Sequence, residues 1–223
     1  MFKLTETIGD ANEVFDDLSI SNLEVATQKS YKRDKILLDQ DDEVKFIALV
    51  QSGQALAISY DGQGKELWVN RYNAGQFIGL EALHGDYFSS CRIIARTNMN
   101  ILYFEKNEFL KLIRENSKLA DYVMKDLVAH VRHFSTTAVK AQSLSKRGLI
   151  ASEFKRLAEP SCSEPETYVI SPAPVVTEMA LKLGVARETV SRTVSDLVKK
   201  NVLQRQTGTL IVPDLNRLEA QVF

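Results

Sequence analysis

Arg187, Glu188 and Arg192 are the residues whose types and spacing best suit chemistry with another molecule. An arginine can donate two hydrogen bonds to guanine O6 and N7, and a glutamate can accept one from cytosine N4. At about 100° per residue, a helix gathers Arg187, Glu188, Ser191, Arg192 and Ser195 on a face roughly 140° wide. The three long side chains occupy the first two turns, the part of a recognition helix that reaches base edges. A solvated face is the competing explanation, because Glu188 and Arg192 are an i,i+4 pair worth about 0.3–0.5 kcal/mol. Stability does not account for Arg187, whose charge opposes the dipole at a helix N-terminus.

The neighbouring segments are suited to hold that face in place. Val190, Val194, Leu197 and Val198 give a helix over Arg187–Lys200 an apolar side. Val175, Val176, Met179, Ala180 and Leu183 do the same for a helix over Val175–Leu183. Gly184-Val185-Ala186 lies between them, with Gly184 where a tight turn needs positive φ. The pattern predicts a helix–turn–helix. Gly148–Glu159 reads as an amphipathic helix before it, followed by a loop over Pro160–Pro165. Val202–Arg205 and Leu210–Val212 read as a strand pair around Thr207-Gly208-Thr209.

Upstream, residues 106–143 follow a helical period, with Asn116-Ser117 as an internal cap. Ala120, Met124, Leu127, Val131, Phe134, Ala138 and Ala141 alternate in steps of four and three. That spacing is a coiled-coil seam, most simply against the same helix of a second chain. Packing of this stripe on its own domain is the alternative.

Residues 27–104 follow the period of strands, with runs at Lys35–Leu38, Lys45–Val50, Gln54–Tyr60, Glu66–Tyr72, Arg92–Ala95 and Ile101–Phe104. Turn signals separate them, among them Ser52-Gly53, Asp61-Gly62-Gln63-Gly64 and Asn73-Ala74-Gly75. Regular short strands imply an antiparallel barrel, roll or sandwich. The expected organisation is α+β, with boundaries at 1–115, 116–144 and 145–223.

Composition narrows the function classes. The 223 residues include 28 Lys and Arg against 29 Asp and Glu, a net charge of −1. Residues 145–223 carry 11 basic and 9 acidic residues, net +2, and residues 1–144 carry 17 and 20, net −3. Bulk positive charge therefore cannot hold this chain on nucleic acid, and any DNA contact must be local. Apolar residues at 44% exclude a disordered chain. No apolar run approaches the roughly 18 residues of a membrane helix. Met1–Asp17 carries Glu6, Asp10, Glu13, Asp16 and Asp17 and lacks the plan of a signal peptide. A cytoplasmic protein without a membrane partner is expected. Cys91 and Cys162 have no metal-ligand spacing, which argues against an iron–sulfur cluster or zinc site. No Gly-x-Ser-x-Gly, Walker A, His-Glu-x-x-His or dinucleotide-binding glycine pattern appears, so no catalytic residue is assigned and an enzyme is not expected.

The segment Ala-Arg-Glu-Thr-Val-Ser-Arg, residues 186–192, resembles the recognition helix of the cyclic AMP receptor protein and FNR (CRP/FNR) superfamily of bacterial transcription regulators. The likeness extends along nearly the whole chain. The β region is similar to that family's cyclic-nucleotide-binding-like β-roll, with Gly53, Gly62, Gly64, Gly75 and Gly79 at turn-like places. The heptad helix looks like its dimerisation helix, Lys146-Arg147-Gly148 like the entry to its winged helix domain, and Thr207–Thr209 like its wing. The resemblance implies a homodimer on double-stranded DNA, reading a palindromic operator with TGTGA-like half-sites, and contact with RNA polymerase. It implies Arg187, Glu188 and Arg192 as base readers, with Thr189 and Ser191 near the phosphates. Ala186 departs from the family's frequent Ser or Thr cap, at a cost of about 1 kcal/mol.

The resemblance also places an effector pocket at Gly79, Leu80, Glu81, Ser89, Ser90 and Cys91, with Phe134 and Ser135 on the long helix. Here the chain departs from cyclic-AMP binders. Leu80 replaces their ribose-binding Glu, and Ser89-Ser90-Cys91 replaces Arg-Ser-Ala, so the phosphate-binding Arg is missing. Arg92 follows, an odd number of steps away and so on the opposite strand face. Phe134 replaces a Thr. Ordinary cyclic AMP binding is not expected. Haem remains open through His84, His130 or His133, each of which also reads as a surface or interface histidine. Cys91 reads as a redox thiol or a small apolar filler. The effector is thus unknown. The alternative function is a nucleotide- or haem-binding sensor whose main role is not DNA binding.

Overall fold

The structure, a computed structural model, describes residues 25–60, 62, 64, 66–85, 87–161 and 167–222. It forms two compact units divided between His133 and Phe134. Met1–Asp17, Cys162, most of the Pro160–Pro165 loop and part of the Asp61–Gly64 turn lie outside the described residues.

The first unit carries β1 (Ala26–Tyr31), β2 (Ile36–Leu38), β3 (Phe46–Ser52), β4 (Gln54–Tyr60), β5 (Glu66–Asn73), β6 (Phe77–Ile78), β7 (Arg92–Ala95) and β8 (Met99–Glu105). A 3₁₀ turn, Leu80–Leu83, sits between β6 and β7. Helix α1 (Lys106–Glu115) follows β8, and α2 (Ser117–Ser143) begins in this unit. The strands form two antiparallel sheets, ordered β1-β8-β3-β6 and β2-β7-β4-β5. Consecutive β3 and β4 thus belong to different sheets. Gly53 makes the corner between them at φ 82°, where an added Cβ would lie 2.3 Å from the Asn98 carbonyl oxygen. Only glycine fits there.

The β3 run Ile47-Ala48-Leu49-Val50 is apolar throughout because both of its faces are buried. Ala48 and Val50 join Ala55, Ala57, Ile93 and Ile101 between the sheets. Ile47 and Leu49 join Phe77, Phe104, Phe109, Leu119, Tyr122 and Val123 under the helices. Phe109 of α1 is fully buried, with its ring 5.4 Å from Phe77 and 5.1 Å from Phe104. Burying one such side chain stabilises the unit by about 1.5–3 kcal/mol.

The second unit contains α3 (Lys146–Leu157), β9 (Glu159–Pro160), β10 (Tyr168–Ile170), α4 (Val176–Leu183), α5 (Arg187–Lys199), β11 (Gln204–Gln206), β12 (Thr209–Val212) and α6 (Leu215–Glu219). Its sheet is ordered β11-β12-β10-β9. The α+β architecture expected from the sequence is present, and two of the differences in element bounds have a clear local cause. Helix α3 ends at Leu157 rather than Glu159, because Glu159 pairs with Val169 and the residue before a proline favours extended backbone. β11 starts at Gln204 rather than Val202. The amides of Val202 and Leu203 instead donate to the Leu197 carbonyl at 2.9 and 3.2 Å, closing the end of α5. β1, β6, β9 and β10 are additional strands.

Candidate nucleic-acid interface and sensor cassette

Helix α4 ends at Gly184, which takes φ 63° and ψ 26°, and its amide reaches back to the Ala180 and Leu181 carbonyls. Val185 then turns into the core, with its amide on the Ala180 carbonyl at 3.0 Å. Helix α5 begins at Arg187, and Ala186 gives no side-chain cap. Val190, Thr193, Val194 and Leu197 are buried on one side of α5. Arg187, Glu188, Ser191 and Arg192 are exposed on the other, and Thr189 is half-buried. Arg192 Nε lies 3.4 Å from the Glu188 carbonyl oxygen, a weak contact along its own helix. The helix thus turns its polar face to solvent as its sequence predicts.

Several polar links tie the helices of this unit together. Arg217 of α6 donates to the Lys200 carbonyl at 3.1 Å, placing a guanidinium at the negative end of α5. Arg147 of α3 lies 3.7 Å from Asp196 of α5. Glu153 of α3 is buried and takes Arg156 at 2.7 Å and Lys182 of α4 at 2.6 Å. Burial alone would raise the Glu153 carboxyl, but the Arg156 hydrogen bonds and the Lys182 charge hold it below the usual carboxylate range. The turn between β11 and β12 contains Gly208, whose carbonyl accepts from Ala173 at 2.8 Å. That bond ties the hairpin to the chain just before α4.

In the first unit the sensor cassette runs through β6, the 3₁₀ turn and β7. Gly79 takes φ 88° against the Phe46 carbonyl. Leu80 is buried with Ile47, Phe77 and Leu102, whereas Glu81 and Ser90 are exposed. Ser89 is buried, and its hydroxyl donates to the Cys91 carbonyl at 2.7 Å. Burial pushes the Cys91 thiol up, and Glu81 adds to this against hydrogen bonds from Ser89 and Ser90. Arg92 makes a two-pronged pair with Asp39, at 2.7 and 3.1 Å, and lies over the Tyr60 ring.

Helix α2 has two stripes. Leu119, Tyr122, Val123 and Asp126 are buried. Met124, Leu127, Val131 and Phe134 are exposed, with Met124 and Val131 at 62% and 64%. Ala138, Ala141 and Ser135 are exposed as well. The buried stripe docks on the cassette. Asp126 Oδ2 accepts the Phe77 amide at 2.9 Å, and the Tyr122 hydroxyl donates to the Gly75 carbonyl at 2.5 Å. His130 is not a surface residue. Its side chain is 15% exposed and meets the Tyr72 ring edge-on at 5.7 Å. The heptad reading overlooks Asp126; its signal is an acid at i+4 from Tyr122, in line with Leu119 and Val123. Among the described residues no cluster of three His, Cys, Asp or Glu could hold a metal ion. No helix among them is long and apolar enough to cross a membrane.

Two family models cover most of this geometry. Residues 28–116 match the cyclic nucleotide-binding domain, and residues 156–221 match the Crp-like helix-turn-helix domain. The chain belongs to the CRP/FNR superfamily. It is a CRP-like transcription regulator, not an enzyme. A similar CRP/FNR relative is the cAMP-activated global transcriptional regulator CRP of Haemophilus influenzae, 23% identical over 216 residues, covering 88% of this chain and 95% of that one. A CooA variant from Carboxydothermus hydrogenoformans has a similar fold at a TM-score of 0.79, 20% identity and 99% coverage of both chains. The c-di-GMP responsive regulator CLP of Xanthomonas campestris is similar at a TM-score of 0.73 and 17% identity, covering 91% of this chain and 97% of that one.

Proposed function

We propose that this CRP/FNR chain is a homodimeric, sequence-specific DNA-binding regulator that reads a palindromic, TGTGA-like operator under control of a signal received by the β-roll. Arg187, Glu188 and Arg192 read bases, and Thr189 and Ser191 lie near phosphates. The observation that carries this reading is the exposure of those three long side chains on one face of α5, while Val190, Val194 and Leu197 anchor the other. The exposed stripe from Met124 through Leu127, Val131 and Phe134 to Ala138 and Ala141 supports the dimer, because a helix partner would bury it. Two α5 helices one turn of DNA apart, about 34 Å, would meet both half-sites. The signal selects the dimer geometry that meets this spacing. We assign residues 1–115 to sensing, 116–144 to dimerisation and 145–223 to DNA, with RNA polymerase as a further partner in the cytoplasm.

The effector site in this reading is the cassette around Gly79, Leu80, Glu81, Ser89, Ser90 and Cys91. Its chemistry disfavours an ordinary cyclic AMP mode, since Arg92 is already held by Asp39 and a desolvated phosphate needs a charged partner. The test of the whole reading is a mobility-shift titration of the full chain, supplemented with the small-molecule fraction of its host's extract. A TGTGA-type palindrome should bind at least about 10³-fold tighter than a scrambled duplex. Equal affinity for the two duplexes overturns it.

A further inference from the structure

The contact between α2 and the cassette contains a buried acid and a histidine whose facing atoms are unmatched. Asp126 is fully buried. One of its oxygens holds the Phe77 amide, at 2.9 Å. The other, Oδ1, faces His130 Nε2 at 4.0 Å, one helical turn along α2. Neither of these two buried atoms has a hydrogen-bond partner. A separation of 4.0 Å is too long for a hydrogen bond and short enough to close by a small side-chain adjustment.

The charges around the pair decide what it does. The groups acting on Asp126 are the Phe77 amide, the His130 ring, the Gln76 side-chain amide and the Glu81 carboxylate of the 3₁₀ turn. Of these, only the imidazole can bring a positive charge. Tyr72 of β5 meets the ring edge-on and is itself under the influence of Glu81, Cys91 and Asp126. Tyr122 lies one turn before Asp126 on α2 and is occupied by the Gly75 carbonyl. With one shared proton the Asp126–His130 pair is neutral overall and joined by a charge-assisted hydrogen bond. Without that proton a buried carboxylate is left uncompensated beside Glu81, which is unfavourable.

We propose that Asp126 and His130 form a one-proton latch that pins α2 to the sensor cassette at Phe77. While the pair holds its proton, Asp126 is anchored and keeps the Phe77 amide. When pH rises and the proton leaves, the anchor weakens and the cassette strand β6 opens more often from α2. Burial supports this sense of the effect: it raises the Asp126 carboxyl against the lowering influence of the Phe77 amide and His130. The sign follows from linkage. A proton held more tightly in the closed contact than in the open one stabilises closure at low pH, and that contribution fades as pH rises. The latch lies within the first unit and stands independently of the DNA reading.

The experiment is amide hydrogen exchange by NMR on the full chain, corrected for the intrinsic pH dependence of exchange. Protection of the Phe77 amide should fall as pH is raised from about 5 to about 9 in the wild type, by at most about tenfold per pH unit for one proton. In Asp126→Asn, whose side chain is neutral at every pH, it should not change across that range. An unchanging wild type, or an equal fall in the variant, overturns the latch. If Asp126→Asn does not fold, the wild type alone decides: Phe77 protection should fall with pH while that of Leu56, in the sheet between β5 and β7, does not, and an equal fall at both amides overturns the latch.

Discussion

Glu153 on α3 accepts from Lys182 on α4 at 2.6 Å, and its carboxylate also takes the guanidinium of Arg156. The helix that opens the second unit is thereby tied to the first helix of the helix–turn–helix. The carboxylate is buried, while the Lys182 and Arg156 side chains are 37% and 45% exposed. Solvent screening therefore keeps the cluster below the roughly 3–5 kcal/mol lost on breaking a fully buried pair. Replacing Glu153 with Gln should destabilise the second unit by about 1–3 kcal/mol at pH 7. Because the cluster lowers the Glu153 carboxyl, its stabilisation is present above the unfolded value of about 4.3 and is lost as pH falls through the lower folded value. The gap between wild type and Glu153→Gln should thus narrow below about pH 4.3. Urea unfolding followed by far-UV circular dichroism measures it. The single tryptophan, Trp68, lies in β5 of the first unit, and its fluorescence transition should not move.

Gly148 gives a prediction in which two effects of opposite sign compete. It sits inside α3, where alanine would ordinarily gain about 1 kcal/mol of helix propensity. A Cβ at this position, however, would lie 2.2 Å from the Val222 carbonyl oxygen. Backbone cannot yield as a flexible side chain can, so overpacking at about 1–3 kcal/mol wins. Gly148→Ala should lower the thermal midpoint of the second unit. A raised midpoint would mean that the end of the chain moves freely away from α3.

How much of this was readable without coordinates depends on where each signal lies. β4 and β7 have the predicted bounds, because hydrophobic runs and turn residues delimit them together. The internal cap at Asn116 is also real: its side chain accepts the Leu119 amide at 3.0 Å. β1 escaped because Ala-Thr-Gln-Lys-Ser-Tyr is a polar edge strand that buries little. β6 is two residues long, too short for any period to show. The start of β11 was misread because Val202 and Leu203 are apolar for the sake of the α5 core, not of a strand. On α2 the heptad stripe was legible, but the second stripe was not, since Asp126 and His130 look like surface residues in sequence. Only the amide of Phe77, 49 positions away, reveals why an acid is buried there.

The exposed stripe of α2 predicts a dimer that can be broken without unfolding the protomer. Val131 is 64% exposed in the single chain, so Val131→Asp should change protomer stability by about 0.5 kcal/mol or less. Against a partner helix the same change would bury an unpaired carboxylate. Light scattering should therefore find wild type as a dimer and Val131→Asp as a monomer, with unaltered Trp68 fluorescence. Persistence of the dimer would place the interface elsewhere.

We propose that Arg187, Glu188 and Arg192 read bases. Fluorescence anisotropy of wild type, Arg187→Ala and Glu188→Ala tests it directly, on a TGTGA-type palindrome and on duplexes with one symmetric base-pair change per half-site. Each base-reading side chain should contribute about 1–3 kcal/mol of discrimination at its own position. Wild type should therefore reject changed base pairs, and each variant should lose that rejection at one position while keeping it at the others. If both variants bind the palindrome as tightly as wild type and discriminate equally at every position, α5 does not read the operator through these residues.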